Sequence, residues 1–196
     1  MRQGHRLIAG VDEAGRGSWA GPVVAAAVVL PLHNPAIIKE LAEVRDSKLL
    51  TSEQREDAAR AILRHCTAIA VGWATHHVVD ERGLTAANLN AMLRAVAALR
   101  ARPDSLLIDY FRLPDCPLPQ TSITKGDSRC LSIAAASIIA KVFRDRWMKK
   151  CDVRFPGYGF GRHKGYGTPA HREALRRLGP SPIHRMSFAP LALSDS

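Results

Sequence analysis

Two short runs rich in valine, isoleucine and alanine, residues 6–12 and 22–30, are separated by the turn-forming residues Gly15, Gly17 and Gly21-Pro22. Runs of that length and composition, punctuated in that way, predict two strands joined as a hairpin. The start of the chain is thereby committed to sheet, and the rest must extend or cover it. The first run also ends in adjacent carboxylates, Asp12-Glu13, and passes straight into Ala14-Gly15-Arg16-Gly17. Neighbouring carboxylates repel and stay ionised only where cations or donors compensate them, so this strand end points to a bound divalent metal. A glycine turn carrying a guanidinium suits a phosphate-bearing ligand. The plain alternative is a solvated Asp-Glu in a surface loop.

Further along, Thr51-x-x-Gln54 has capping-box spacing and opens a segment with Ala58, Ala59, Ile62, Leu63 and Cys66 on one face, which predicts a helix. Thr67 to Ala74 reads as a third strand and Leu84 to Arg102 as a long amphipathic helix. Ser105-Leu106-Leu107-Ile108-Asp109 is an almost unbroken apolar run with a carboxylate at its end, the pattern of a strand buried on both faces. Thr121-Ser122-Ile123 is a shorter strand candidate. Asp127 or Ser128 is placed to cap an alanine-rich helix from about Leu131 to Lys150, and Thr168-Pro169 opens another that ends near Gly179. The proline stretches Pro31 to Pro35 and Pro114 to Pro119 read as loops. A meander followed by alternation with helices predicts an α/β fold with a mixed sheet flanked by helices. The 196 residues show no linker-like stretch, which implies one domain.

The formal net charge is +10, and 16 of the 28 basic but only 8 of the 18 acidic side chains lie in residues 101–196. A basic half favours a polyanionic partner, most commonly nucleic acid. Cys66, Cys116, Cys130 and Cys151 have no zinc-site spacing and read as reduced thiols, so a metal would sit on oxygen ligands. The apolar stretch from Val23 to Leu30 is far shorter than the ~20 residues needed to span a bilayer, and no targeting segment is evident, which implies a cytoplasmic protein. No Walker, nucleophile-elbow or dinucleotide motif is present, which leaves nucleotide hydrolases and oxidoreductases with little support.

Asp12, Glu13, Asp109 and Asp127 each follow a strand-like run or closely precede a helix start. Ends of neighbouring strands in an α/β sheet converge on one crevice, so acids distant in sequence can meet there. Four such carboxylates would hold two Mg²⁺ or Mn²⁺ ions about 3.5–4 Å apart, the arrangement for in-line displacement at phosphorus. Arg16, Lys48, Lys125, Lys141, Arg144 and Lys164 lie near glycine turns or beside these acids, where cations would offset repulsion of a phosphodiester. Gly157-Tyr158-Gly159 and Lys164-Gly165-Tyr166-Gly167 place aromatics among glycines, a composition suited to stacking on sugars or bases. His163, His171 and His184 have no local nucleophile and read as structural.

Taken together, several segments resemble ribonuclease HII, the type 2 ribonuclease H family. They are Asp12-Glu13-Ala14-Gly15-Arg16-Gly17, Ala20-Gly21-Pro22-Val23-Val24, Asp46-Ser47-Lys48, Leu106-Leu107-Ile108-Asp109, Lys125-Gly126-Asp127-Ser128, the run from Ala134 to Asp145, His163-Lys164-Gly165-Tyr166-Gly167-Thr168, and His184-Arg185-Met186-Ser187-Phe188. They span nearly the whole chain in family order. The resemblance implies an RNase H-like fold with a mixed five-stranded sheet and a small helical, substrate-binding C-terminal part at about residues 160–196, all in one catalytic domain. It also implies endonucleolytic hydrolysis of the RNA strand of RNA/DNA hybrids and incision on the 5′ side of single ribonucleotides embedded in duplex DNA, leaving 5′-phosphate and 3′-hydroxyl ends.

By the same resemblance Asp12, Glu13, Asp109 and Asp127 are the metal-binding acids. Gly15-Arg16-Gly17 reads the ribose 2′-hydroxyl through its backbone, and Tyr166 stacks on the deoxyribose that follows. Lys48, Lys125, Ser128 and Lys164 complete the substrate contacts, and a monomer is expected. The chain departs from the family where Tyr110-Phe111 follow Asp109, a position usually held by glycine, and the helical C-terminal extension of longer relatives is expected to be largely missing. The alternatives are a DNA-structure-specific nuclease of the same fold and a non-catalytic module that binds hybrid duplexes.

Overall fold

In a computed structural model that describes residues 7–41, 44 and 50–193, the hairpin forms from β1 (Ile8–Ala14) and β2 (Val23–Val29), paired antiparallel. The first strand is longer than its apolar run, because Asp12 and Glu13 stay in the ladder opposite Ala26 and Ala25. The sequence places the strand end at these acids; instead the small alanines across the ladder leave room for two carboxylates that β propensity alone disfavours. β3 (Ala68–Ala74) adds antiparallel to β2, while β4 (Ser105–Asp109) joins the other edge of β1 in parallel and β5 (Gln120–Ile123) joins β4 in parallel. The order β3-β2-β1-β4-β5 is the expected mixed five-stranded sheet.

Seven helices and one 3₁₀ turn occur among the described residues: α1 (Pro35–Glu40), α2 (Ser52–His65), α3 (His76–Ala97), α4 (Gly126–Arg129), α5 (Leu131–Arg154), α6 (Phe160–His163), α7 (Pro169–Leu178) and the turn Leu191–Leu193. The capping box at α2 forms as its spacing predicts, with the Gln54 N–H donating to Thr51 Oγ1 and the Thr51 N–H donating to Gln54 Oε1 at 2.8 Å. Thr168 likewise caps α7 through the His171 N–H. Two expectations are corrected. The helix expected from Leu84 to Arg102 does start just after Gly83, whose φ of 80° breaks the helical run, but it ends at Ala97 and is preceded from His76 by a further helix that the sequence reading leaves out, the two together forming α3. Asp127 and Ser128 do not cap the alanine-rich helix; they sit inside α4, and Cys130 occupies the cap position without a side-chain bond.

All seven residues of β2 are buried, so alternation sends Val23, Ala25, Ala27 and Val29 into one core and Val24, Ala26 and Val28 into another. α3 covers the first face through Ala87, Ala91, Met92 and Ala95; α5 covers the second through Ala134, Ala135, Ala136 and Ile138. Alanines bring α5 close to the sheet, and Gly10 brings it closer still: a β-carbon there would lie 2.1 Å from the Ser132 carbonyl carbon. A third, smaller core of Ala20, Met148, Cys151, Phe160 and Ile183 ties the far end of α5 to the C-terminal segment. The four cysteines are free thiols, and no helix among the described residues is long and apolar enough to cross a membrane.

Candidate active site

β1, β4 and β5 run parallel, so their carboxyl ends share one edge of the sheet. Val11 pairs with Ile108, which makes Asp12 and Asp109 the next step of the same register. Val11 and Ile108 both enter the α3 core, so period-two alternation turns Asp12 and Asp109 to the α5 face. There Ser137 of α5 hydrogen-bonds Asp12. α4, which carries Asp127, begins three residues beyond β5 at that same edge, and the Gly126 N–H donates to Asp109 Oδ1 at 2.7 Å.

A cleft of about 500 Å³ opens at this edge. Asp12, Glu13 and Asp109 line it together with Gly15, Arg16 and Gly17, and Ser137, Lys141 and Tyr166 complete the wall. Asp12 is 4 % exposed. Burial, then the charge of Glu13, then that of Asp109, raise its carboxyl well above the usual carboxylate range, against the Ser137 bond and the Glu13 N–H that donates to Asp12 Oδ1 at 2.7 Å. Arg16 lies 3.8 Å from Glu13 and stands over the Phe111 ring, 4.7 Å from its centroid.

Among the described residues, none of the other predicted contacts lines this cleft. Asp127, in α4, is buried and is not among the residues that line the cleft; Lys125 and Ser128 beside it are exposed, and Ser128 Oγ donates to the Lys125 carbonyl. Lys164 does not line the cleft; its ammonium donates to the carbonyls of Gly161 and Arg162. Lys48 lies outside the described residues, as does the rest of Asp46-Ser47-Lys48.

The Gly15–Pro22 loop is held by two fully buried arginines with carbonyl rather than carboxylate partners. Arg144 of α5 donates to the carbonyls of Pro22, Ala20 and Lys164 and to Ser18 Oγ at 2.6 Å. Arg185 donates to the carbonyls of Gly15, Arg16 and Gly21. Gly15 is required: at φ 93°, a β-carbon would lie 2.0 Å from Arg144 Nε. In a trans peptide the N–H points opposite to the carbonyl, so turning the Gly15 and Arg16 carbonyls onto Arg185 points the Arg16 and Gly17 N–H groups away from it. Arg144 is therefore a clamp, not the phosphate contact its position near a glycine turn suggests. Arg185 has no signature of its own in the sequence, because what buries it is a loop about 170 residues earlier.

Tyr166 lines the same cleft as the carboxylates and is paired through a β-bridge to Ser18. Its ring lies 5.3 Å from Lys141 Nζ and 5.5 Å from the Arg144 guanidinium. Two of the three histidines, His184 and His171, form an ordered chain to Tyr166. The Ser181 N–H donates to His184 Nδ1 at 2.8 Å, which leaves the His184 proton on Nε2, directed at His171 Nε2 at 2.9 Å. His171 in turn carries its proton on Nδ1 and donates to the Tyr166 carbonyl at 3.0 Å. Burial lowers the pKa of both His171 and His184 to about 4, which keeps them neutral donors.

An acid-lined cleft at the carboxyl edge of a β3-β2-β1-β4-β5 sheet, walled by a glycine turn, defines a hydrolase of RNase H-like fold. Comparison with known proteins gives the family. The model for ribonuclease HII matches residues 9–191. The ribonuclease HII of Roseiflexus castenholzii is 54 % identical over 192 residues, 96 % of this chain and 84 % of that one, and that of Chloroflexus aurantiacus is 51 % identical over 97 % of this chain and 90 % of its own. The crystal structure of ribonuclease H2 from Pyrococcus horikoshii superposes with a TM-score of 0.79 at 28 % identity, covering 95 % of this chain and 96 % of the other. The chain belongs to the ribonuclease HII family and is a metal-dependent RNase H endonuclease.

Proposed function

We propose that this endonuclease hydrolyses the RNA strand of RNA/DNA hybrids and cuts on the 5′ side of single ribonucleotides embedded in duplex DNA, leaving 5′-phosphate and 3′-hydroxyl ends. The observation that carries this reading is one cleft lined together by Asp12, Glu13, Asp109, Gly15–Gly17 and Tyr166. Residues 1–196 act as one catalytic domain in this reading, with about 160–196 contributing to substrate binding.

The donor set suits a hard divalent cation. Its side chains are oxygen ligands, and the upward pressure on Asp12 from Glu13 and Asp109 is the repulsion that such an ion relieves. Among the described residues no three His, Cys, Asp or Glu side chains are gathered around one ion position. Asp12, Glu13, Asp109 and Asp127 would hold Mg²⁺ or Mn²⁺, with two ions as the proposed number. Bound there, the metal supplies activation of water and stabilisation of the departing oxygen in displacement at phosphorus.

The chain's own residues do the rest. Ser137 and the Glu13 N–H fix the Asp12 carboxylate, and the Gly126 N–H fixes that of Asp109. The Arg16 and Gly17 N–H groups, directed away from Arg185, are donors for the ribose 2′-hydroxyl, the group that separates RNA from DNA. Tyr166 packs on the following sugar, while Lys125, Ser128, Lys164 and Lys48 accompany the phosphates.

Incubation with a duplex bearing one ribonucleotide, with Mg²⁺ or Mn²⁺ and then with chelator, tests the proposal. Cleavage 5′ of the ribonucleotide that chelator abolishes is expected. Equal cutting of an all-DNA control, or cutting that survives chelator, would overturn it.

A further inference from the structure

Three described residues other than glycine adopt left-handed backbone: Tyr110 at φ 59°, Lys125 at 55° and Lys164 at 54°. Each adjoins a residue of the site, since Tyr110 follows Asp109, Lys125 precedes Gly126-Asp127 and Lys164 precedes Gly165-Tyr166. Local bonds account for the two lysines. The Lys125 carbonyl accepts from Ser128 twice, and the Lys164 carbonyl accepts from Arg144.

Tyr110 is also held by backbone bonds but differs in carrying an aromatic side chain that is left exposed. Its backbone is fixed, with its N–H donating to the Ile123 carbonyl at 3.1 Å and the Phe111 N–H closing a tight turn onto the Asp109 carbonyl at 2.6 Å. Its side chain is 66 % exposed and meets only the edge of Phe111 among the rings, at 5.1 Å between centroids and 82°. Glycine takes this conformation without a steric cost. An aromatic residue here is disfavoured by its backbone and recovers little by burial, the combination that marks a functional constraint.

The ring also lies in a row that begins in the cleft: Arg16 lines the cleft and stands over Phe111, and Tyr110 meets Phe111 edge-on. Exposed Arg112 and Lys125 flank the Tyr110–Ile123 hydrogen bond, each two residues from one of its partners. An exposed ring with cations near it in the chain, joined through Phe111 to Arg16 of an acid-lined cleft, matches the chemistry of a nucleic-acid stacking platform.

We propose that Tyr110 is a substrate contact, its ring stacking on a sugar or base of the duplex that crosses the carboxylate edge. The inference rests on the nuclease reading above. Stacking on an aromatic ring is tolerant of sequence, so the contact sets affinity rather than sequence choice.

Tyr110→Gly, Tyr110→Phe and wild type are to be compared for cleavage of a short RNA/DNA hybrid and for its binding, by fluorescence anisotropy in Ca²⁺, with thermal melts alongside. Tyr110→Gly is expected to raise Tm by about 2 °C, because a left-handed position is relieved. It is also expected to raise KM and Kd about tenfold with kcat within about twofold, the scale of one lost stacking contact. Tyr110→Phe should retain wild-type affinity. Unchanged KM and Kd in Tyr110→Gly, or equal weakening in Tyr110→Phe, would overturn the stacking role. Wild-type failure to cut the hybrid would instead count against the nuclease reading, so the two failures are distinguishable.

Discussion

Compared with the guanidinium side of the cleft, the carboxylate side is electrostatically unfinished. Asp12 is buried next to Glu13 and near Asp109, and its carboxyl is displaced upward first by burial and then by their charges. Behind the Gly15–Gly17 turn, by contrast, Arg144 and Arg185 are fully buried and yet engaged by main-chain carbonyls, and His184 and His171 pass donors in one direction to Tyr166. The first region needs something the chain does not supply; the second asks for nothing from outside. Substitutions should therefore separate the two, with loss of activity at the acids and loss of fold at the clamp.

The largest separation is expected at Asp109. Asp109→Asn should lower single-turnover cleavage by about a hundred- to a thousandfold, the scale for removing one fixed electrostatic element of a site. Its Tm should hold or rise, since one of the like charges facing Asp12 is gone. A Tm that falls along with activity would erase the distinction drawn here. At the clamp the order reverses: Arg144→Met strands the carbonyls of Pro22, Ala20 and Lys164 and should cost about 3 kcal/mol or more. Thermal or urea unfolding checks this, and a stable Arg144→Met protein would show that the loop holds itself.

The clamp region also has a pH signature that the acids do not share. His171 and His184 titrate near 4 when folded, against about 6.5 in an unfolded chain, so the unfolded state binds more protons between those values. Their contribution is fully present above about pH 6.5 and is lost as pH falls toward 4. Solvent screening limits the effect to about 1–2 kcal/mol in total. Urea midpoints across that window should show the decline in wild type and a smaller one in His171→Asn.

The smallest effect is the sharpest. Asn places an N–H where His171 Nδ1 has one and keeps the bond to the Tyr166 carbonyl, whereas Gln reaches the Nε2 position and loses it. His171→Gln should raise KM about three- to tenfold, the scale of one hydrogen bond, while His171→Asn stays near wild type. Equal KM values in the two variants would remove the histidine chain from any role in placing Tyr166.

Much of this contrast was legible in the sequence on its acidic side and little on its basic side. The hairpin, the strand Ser105–Asp109 and the capping box at Thr51 follow from local pattern, because short apolar runs and cap residues report on their own neighbourhoods. The acids were visible because they stand at the ends of such runs. That β1 continues through Asp12 and Glu13 was not, since the alanines that permit it lie on another strand. Arg144 and Arg185 were illegible as clamps for the same reason on a longer scale: residue type says surface for an arginine, and only the folded loop supplies the carbonyls that bury it.

The claim beneath the comparison is that carboxylates from β1 and β4 serve a common cation. Titrating Mn²⁺ into wild type, Asp12→Asn and Asp109→Asn, with free ion read by electron paramagnetic resonance, tests it directly. The account predicts tight binding in wild type that is lost in each variant alone. Tight binding of equal stoichiometry and strength in all three would contradict it.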